Sequence, residues 1–465
     1  MSEETIFALS TAPVRAAIAV LRLSGPACDT ALRALGVERL PSPRMASLCR
    51  LTDPGSGALL DEALVLRFSA PHSFTGEDMV ELHLHGGLAV TQSVLGALAA
   101  MDGLVPAEPG AFTRRAVLNG KMDLTAAEAI ADLIDAEGGA QQARALSQLG
   151  GELRRQAETW RDALKTMLAH LEADLEFADE DLPGGLGQKA LEALPELYLA
   201  LASHVDDRRG LRLRDGVRIA LLGPPNAGKS SIINMLAGRE AAIVSARAGT
   251  TRDAIEVAMV LGGVPVTLID TAGLRAAGDD IEREGVRRAV KTADEADIIV
   301  LVTSPDADDG AVDTPDTSDA SDTSGASDNM DTLDVVAGRA DLRVANKSDL
   351  QRGATTDYRG ATKEHGDRLN LSAKTGDGAE ALVAALTDMV MRKAGLGENV
   401  LVTRARHASI LREVVGHLDA ARQAPALELA AEDLRLAQRA LGRLTGAVDI
   451  EQLLDVVFAD FCIGK

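Results

Sequence analysis

Residues Gly223-Pro224-Pro225-Asn226-Ala227-Gly228-Lys229-Ser230 join a glycine-bounded loop to one cation and one hydroxyl, the set of groups that holds a chain of phosphates. They follow the apolar run Val217 to Leu222 and precede the apolar stretch Ser231 to Leu236, so the spacing predicts a strand, a loop and a helix. In that context the backbone N–H groups of Asn226, Ala227, Gly228 and Ser231 turn toward the phosphates. Lys229 reaches the β and γ oxygens, and the Ser230 hydroxyl ligates Mg²⁺ at a helix N-terminus whose dipole favours anions.

Four further constellations follow. Asn346, Lys347, Ser348 and Asp349 end the apolar stretch Leu342 to Ala345. The Asp349 carboxylate can accept two hydrogen bonds from the imino and amino groups of guanine, an edge that adenine lacks. Ser372, Ala373 and Lys374, after the short strand Arg368 to Leu371, form the companion loop that backs the base. Asp270, Thr271, Ala272 and Gly273 follow the strand Val264 to Ile269 and supply a carboxylate on the Mg²⁺ side and a glycine that can sense the γ-phosphate. Thr250 and Thr251 lie at the spacing of a switch I loop, where Thr251 completes the Mg²⁺ shell. Each motif is weak alone; their order over roughly 150 residues points to a working GTPase.

One position departs from the Ras pattern. Leu274 stands where the glutamine that orients the attacking water is expected, and its side chain cannot polarise water. Catalytic charge must come from elsewhere. Asn226, with carbonyls around Ser245, Arg247 and Thr250, is the candidate cage for K⁺, and Glu282 at the head of the helical stretch Ile281 to Thr292 is the candidate water-positioning acid. Asn226 can also act as a loop-stabilising amide, a reading the missing glutamine disfavours, and Glu282 can equally serve as a favourable charge at a helix N-terminus.

A length of 465 residues suggests roughly three domains, and 46% apolar residues suffice for their cores. No uninterrupted apolar run reaches membrane length and no signal peptide is read, while three cysteines (Cys28, Cys49, Cys462) point to a reducing cytoplasm. The net charge of −22 opposes a nucleic-acid partner, but 10 of those charges fall in Ser304 to Asp334, which has ten aspartates and no Lys or Arg. That segment is expected to be a solvated insertion.

The chain reads as an α+β domain over residues 1–120, with strands at Ala17 to Leu23, Ala63 to Phe68 and Met79 to Leu84 and a helix near Val90 to Ala100. A helical part covers 121–214, a G domain 215–393, and a second helical part 394–465. Thr125 and Glu128 have capping-box spacing. Leu146, Leu149, Leu153, Trp160, Leu164, Leu168, Leu171 and Leu175 form a helical stripe expected to be bundle core. The fold class is multidomain α/β, a Ras-like P-loop G domain inserted into an all-helical domain. His83 and His85, at i and i+2, share one side of a strand and without a third ligand read as structural.

The resemblance to a known family rests on residues spread over the whole chain. These are Glu4-Thr5-Ile6, Phe74-Thr75-Gly76-Glu77-Asp78 running to His85-Gly86-Gly87, Pro109-Gly110 with Phe112-Thr113, Arg115-Ala116, Leu118 to Lys121, Asp123 to Ala129, Ala248 to Asp253, Asp270 to Arg275, and the terminal Phe461-Cys462-Ile463-Gly464-Lys465. The chain resembles the MnmE (TrmE) family of tRNA modification GTPases. The resemblance implies a folate-binding and dimerising N-terminal domain. It also implies a reduced folate (5,10-methylene- or 5-formyl-tetrahydrofolate) held by Arg22, Glu81, Lys121 and Lys465; the Cys462 thiol beside Lys465 is either a nucleophile or a packing residue. It implies a homodimer working with an FAD-dependent MnmG-type partner, as a heterotetramer, on the wobble uridine of certain tRNAs. Residues Val14-Arg15-Ala16-Ala17 stand where the family usually has glycines. Two alternatives remain open at this stage, a ribosome-assembly switch GTPase that binds RNA without modifying it, and a stand-alone folate-dependent methyltransferase with a regulatory G domain.

Overall fold

The computed structural model describes residues 4–176, 186–224, 226–239, 255–270, 290–305, 338–350, 368–397, 400–448, 454, 455, 457, 458, 461, 463 and 464. The chain divides into two compact units. One comprises Met1–Ile134, Ala145–Ala202 and Ser409–Lys465, the other Asp135–Arg144 and Ser203–Ala408.

The first unit contains a six-stranded sheet in the order β3-β4-β5-β2-β1-β6. Its strands are β1 (Thr5–Leu9), β2 (Ile18–Ser24), β3 (Ser47–Thr52), β4 (Leu59–Phe68), β5 (Met79–His85) and β6 (Leu104–Pro106). Strand alternation divides its faces. Ala19, Leu21 and Leu23 of β2 and Val80, Leu82 and Leu84 of β5 are buried in one core with α1 (Cys28–Ala34) and α2 (Leu88–Ala99). Their neighbours Arg22, Glu81, His83 and His85 therefore occupy the other face. The strands and helix expected from periodicity are present, although β4 begins four residues earlier than its apolar alternation suggested.

Helices α3 (Ala111–Leu118), α4 (Leu124–Asp135), α5 (Gly139–Leu149), α6 (Glu152–Glu176), α7 (Leu186–Glu192) and α8 (Leu194–Val205) follow. The cap of α4 differs from the expected one: Asp123 Oδ1 accepts from the Ala126 N–H at 2.9 Å and from Thr125 Oγ1 at 2.6 Å. A carboxylate three residues before a free N–H satisfies it better than the hydroxyl inside the first turn. The leucine stripe also divides. Leu153, Trp160, Leu164 and Leu171 are buried with Ala157 and Met167, a 4-3-4-3-4 spacing that keeps one face of α6 inward. Leu146 and Leu149 belong to α5 and are exposed, because the break at Gly150-Gly151 resets the helical phase, and Leu168 and Leu175 are half-buried at the edge of the stripe. Late in the chain, α12 (Ala405–Gln423) and α13 (Leu427–Thr445) complete this helical part, and Arg435 of α13 reaches Glu172 of α6 at 2.9 Å.

The second unit is a Ras-like α/β domain. It carries α9 (Arg209–Asp215), β7 (Val217–Leu222), α10 (Lys229–Arg239), β8 (Ile255–Leu261), β9 (Val264–Asp270), β10 (Ile298–Thr303), β11 (Leu342–Ala345), β12 (Arg368–Asn370) and α11 (Ala379–Lys393). The sheet order is β12-β11-β10-β7-β9-β8, with every pair parallel except β8 with β9. Parallel strands covered on both faces read as continuous apolar runs, and five of the six residues of β7 are buried. The β8–β9 hairpin turns at Gly262 and Gly263, whose φ values of 58° and 81° suit a two-residue turn of this hand. Among the described residues, no helix is long and apolar enough to cross a membrane.

Candidate guanine-nucleotide site and one-carbon site

The chemistry of the second unit gathers where the parallel strands end, the edge at which open α/β sheets bind ligands. After β7, Gly223 has φ +142°, and a Cβ there would lie 2.0 Å from the Val302 carbonyl oxygen, so the loop can cross β10 only as glycine. Asn226 has φ +62°, a left-handed conformation that asparagine tolerates. Lys229 opens α10, is 4% exposed, and donates from Nζ to the carbonyls of Gly223 at 2.7 Å and Pro224 at 2.9 Å. Burial pushes its ammonium below the ordinary lysine value, and the Asp270 carboxylate opposes that shift. Ser230 Oγ donates to Asp270 Oδ2 at 2.5 Å, which brings the two expected Mg²⁺-side oxygens together. Asp270 is wholly buried at the end of β9.

The base side is tied to the phosphate side by one amide. Asn346 Nδ2 donates to the Ala227 carbonyl at 2.9 Å, and its Oδ1 accepts from the Ala373 N–H at 3.0 Å. Gly228 lies beneath this bridge, where a Cβ would come within 2.2 Å of Asn346 Nδ2. Lys347 takes φ +59°, and Ser348 N–H donates to Leu371 O at 3.1 Å. Asp349 is exposed and accepts from Ser372 Oγ at 2.7 Å, and Lys374, two residues after Ser372, is exposed. The P-loop, Asp270, Asn346 to Asp349 and Ser372 to Lys374 thus converge on one rim.

In the first unit, Arg22 and Glu81 face each other in the β2–β5 register. Arg22 Nη2 and Nε donate to Glu81 Oε1 at 2.9 and 3.1 Å. The guanidinium carbon lies 5.5 Å from the Phe74 ring centre and 5.7 Å from that of Phe112. Lys121 is exposed and donates to Pro71 O at 2.9 Å, on the same 69–78 loop that carries Phe74. A buried polar network fixes that loop. Glu77 Oε2 accepts from Ser24 Oγ at 2.9 Å and Arg115 Nη1 at 2.7 Å, and Ser24 Oγ also meets Thr75 Oγ1 at 2.7 Å. The C-terminal tail reaches this region. Phe458 and Phe461 pack over Gly110 at the start of α3, and Ser10 Oγ donates to Gly464 O at 3.0 Å beside the end of β1.

Residues 5–121 match the sequence profile described as "GTP-binding protein TrmE N-terminus", and residues 124–462 match that described as "MnmE helical domain". The chain belongs to the MnmE (TrmE) family. A tRNA modification GTPase MnmE of Parvibaculum lavamentivorans is 51% identical over 470 residues, covering 99% of this chain and 100% of that protein. The MnmE of Paramagnetospirillum magneticum is 51% identical over 467 residues, covering 99% and 100%. That of Rhodospirillum rubrum is 48% identical over 481 residues, covering all of both.

Of the expected MnmE-type site residues, Thr271, Ala272, Gly273, Thr250, Thr251, Ser245, Arg247, Glu282, Cys462 and Lys465 lie outside the described residues, as do Leu274 and residues 306–334 of the acidic segment. Sequence reading passed over the roles of Phe74, Phe112, Glu77 and Arg115. Their types are ordinary, and only the folded sheet shows that Phe74 and Phe112 flank the Arg22 guanidinium and that Glu77 and Arg115 pair beneath the 69–78 loop. It also missed Asp61, which accepts from His85 Nδ1 at 2.7 Å and from the His85 N–H at 2.8 Å. Among the described residues, no group of three or more His, Cys, Asp or Glu side chains could hold a metal ion.

Proposed function

We propose that this member of the MnmE family is a GTP hydrolase that acts in tRNA modification. It adds an aminomethyl-type group, usually carboxymethylaminomethyl, to carbon 5 of the wobble uridine with a one-carbon unit from 5,10-methylene- or 5-formyl-tetrahydrofolate. The observation that carries this is the coexistence in one chain of the guanine constellation bridged by Asn346 and the Arg22–Glu81 pair flanked by two aromatic rings. Full-length relatives named as tRNA modification GTPases support it.

For GTP, backbone N–H groups from Asn226 to Ser231 and the Lys229 ammonium neutralise the phosphates, and Asp349 selects guanine. Ser230 and Thr251 would hold Mg²⁺, with Asp270 on the same side of the site. The short Ser230–Asp270 contact is consistent with a pair of oxygens gathered for a hard cation. Mg²⁺ would offset charge on the β and γ phosphates. With Leu274 inert, Asn226 and the carbonyls of Ser245, Arg247 and Thr250 would hold K⁺, and Glu282 would orient water. For folate, the Glu81 carboxylate suits pterin N–H donors, Phe74 and Phe112 suit its flat ring, and Lys121 and Lys465 suit its carboxylates.

The protein works in the cytoplasm as a homodimer together with an FAD-dependent MnmG-type partner, which supplies the redox chemistry. Self-association is supported by Leu48 and Leu64, register neighbours on β3 and β4 that are 70% and 46% exposed. The test is reconstitution from the purified chain, the flavoprotein, tRNA, GTP and methylene-tetrahydrofolate. Modified wobble uridine should require every component. Product formed without the flavoprotein would overturn the two-protein account.

A further inference from the structure

The face of β5 that carries Glu81 carries two more polar side chains, His83 and His85, and the second is built differently from the first. His85 ends β5 with its side chain 74% exposed, while Asp61 on β4 is 7% exposed. The Asp61 carboxylate takes two bonds from this one residue, Oδ1 from the ring Nδ1 at 2.7 Å and Oδ2 from the backbone N–H at 2.8 Å. A buried carboxylate on Nδ1 fixes the tautomer with the proton on Nδ1, turns the ring, and leaves Nε2 as the basic nitrogen, which the high exposure places toward solvent. The residue after it is equally fixed. Gly86 exchanges hydrogen bonds with Ala16 and Ala17, and a Cβ on Gly86 would lie 2.4 Å from the Ala16 carbonyl oxygen. His85 is therefore held at the ring and on both sides of its backbone, more than a side chain that only fastens two strands requires.

Its position ties it to the one-carbon site. Glu81, His83 and His85 alternate onto one face, and four residues of strand separate Glu81 from His85 by about 13–14 Å. Ser10, whose Oγ donates to Gly464 O, lies two strands from that row: Ser10 N–H donates to Val20 O at 2.7 Å, and Val20 pairs with His83. The tail is thus anchored on the same cross-strand line as His83, which lies between Glu81 and His85.

We infer that His85, oriented by Asp61, is a catalytic base that takes a proton from the primary ammonium group of the amine donor. This role rests on the reading of the face as a site of one-carbon chemistry. An aminomethyl product requires a nucleophilic amine, and near neutral pH amines of the glycine type are ammonium ions. In the step, one N–H bond of R–NH3⁺ breaks and its electron pair stays on nitrogen as the lone pair of R–NH2. The proton forms a bond to Nε2, giving an imidazolium whose charge the Asp61 carboxylate stabilises, and is then passed to water. No electron is gained or lost. The amine itself follows from the proposed product: ammonium gives the aminomethyl group and glycine the carboxymethylaminomethyl group.

The experiment compares the full-length parent, His85→Asn and His85→Ala in the reconstituted modification reaction with glycine, and measures 5-formyl-tetrahydrofolate binding separately by calorimetry. Asparagine keeps an N–H donor that can face Asp61 and lacks the outer part of the ring that carries Nε2. The inference expects His85→Asn to fall at least tenfold in product formation, and His85→Ala to recover several-fold in added imidazole, with melting temperatures near the parent's. Full activity in His85→Asn, or a loss in His85→Ala that imidazole leaves unchanged, overturns it. If the parent fails to bind the folate, the folate reading falls on its own. An imidazole-rescued amine step would then still assign the base, and its absence would remove both.

Discussion

Asn346 donates its side-chain N–H to the carbonyl of Ala227 at 2.9 Å, joining two loops 119 residues apart in sequence. The base-recognising loop is thereby positioned by the phosphate-binding loop, and Gly228 leaves room for the bridge.

The guanine edge is the first consequence. Asp349 is held by Ser372 Oγ at 2.7 Å with its carboxylate at the rim. Asp349→Asn removes a charge-assisted bidentate contact and should weaken GTP binding by about 3 kcal/mol, on the order of a hundredfold. Xanthosine triphosphate, whose added oxygen complements an amide, should then be preferred. Competition of the two nucleotides in a filter-binding assay reads this directly, and an unchanged preference for GTP rejects the assignment.

Hydrolysis should depend on the alkali cation. Leu274 cannot orient water, so turnover in K⁺ should exceed that in Na⁺ by about tenfold or more, the scale of one preorganised charge. Asn226→Ala should remove the difference while GTP still binds. Equal turnover of the parent in both salts would instead indicate an internal guanidinium, with Arg247 the candidate.

Acid should weaken one identified pair. Arg209 grips Asp207 with Nε to Oδ1 and Nη2 to Oδ2, both at 2.8 Å. The Arg209 hydrogen bonds hold the Asp207 carboxyl below its ordinary value against an opposing effect of burial. The folded state thus binds this proton less readily than the unfolded chain. The stabilisation is complete above the ordinary carboxylate range and fades as pH falls through the lowered value. Asp207→Asn should cost about 1 kcal/mol or less at neutral pH, given solvent screening, and nearly nothing in strong acid. Urea unfolding of both proteins across that range measures the convergence.

Much of the nucleotide site is legible in the sequence. The five GTPase motifs are local in sequence, and a strand running into Asp270 or Asn346 needs only its apolar run to be recognised. What could not be read depends on register and burial. Arg22 and Glu81 are 59 residues apart, and only the antiparallel pairing of β2 with β5 makes them partners. Asp61 looks like any surface acid until β4 folds it under His85. Leu146 and Leu149 fit the helical stripe on paper, but the break at Gly150-Gly151 turns them outward. Asp123 displaced Thr125 as the α4 cap because capping depends on which oxygen reaches the free N–H.

The tail separates the two chemistries. Deleting residues 462–465 removes no residue of the GTP site, so intrinsic hydrolysis should stay within a few-fold of the parent, while wobble-uridine modification in cells should collapse with loss of the Cys462 thiol and the Lys465 amine. Paired assays of GTP turnover and tRNA nucleosides on the truncated protein decide it. Surviving modification would show that the tail is dispensable to the chemistry.

The central claim, that GTP hydrolysis by this chain serves tRNA modification, is tested most directly by mass spectrometry of tRNA nucleosides from a strain lacking the chain, complemented with either the parent or Lys229→Ala. The account predicts that the 5-substituted wobble uridine disappears in the deletion strain, returns with the parent, and stays absent with Lys229→Ala, whose phosphate-binding ammonium is gone. Unchanged wobble nucleosides in the deletion strain, or full restoration by Lys229→Ala, would contradict it.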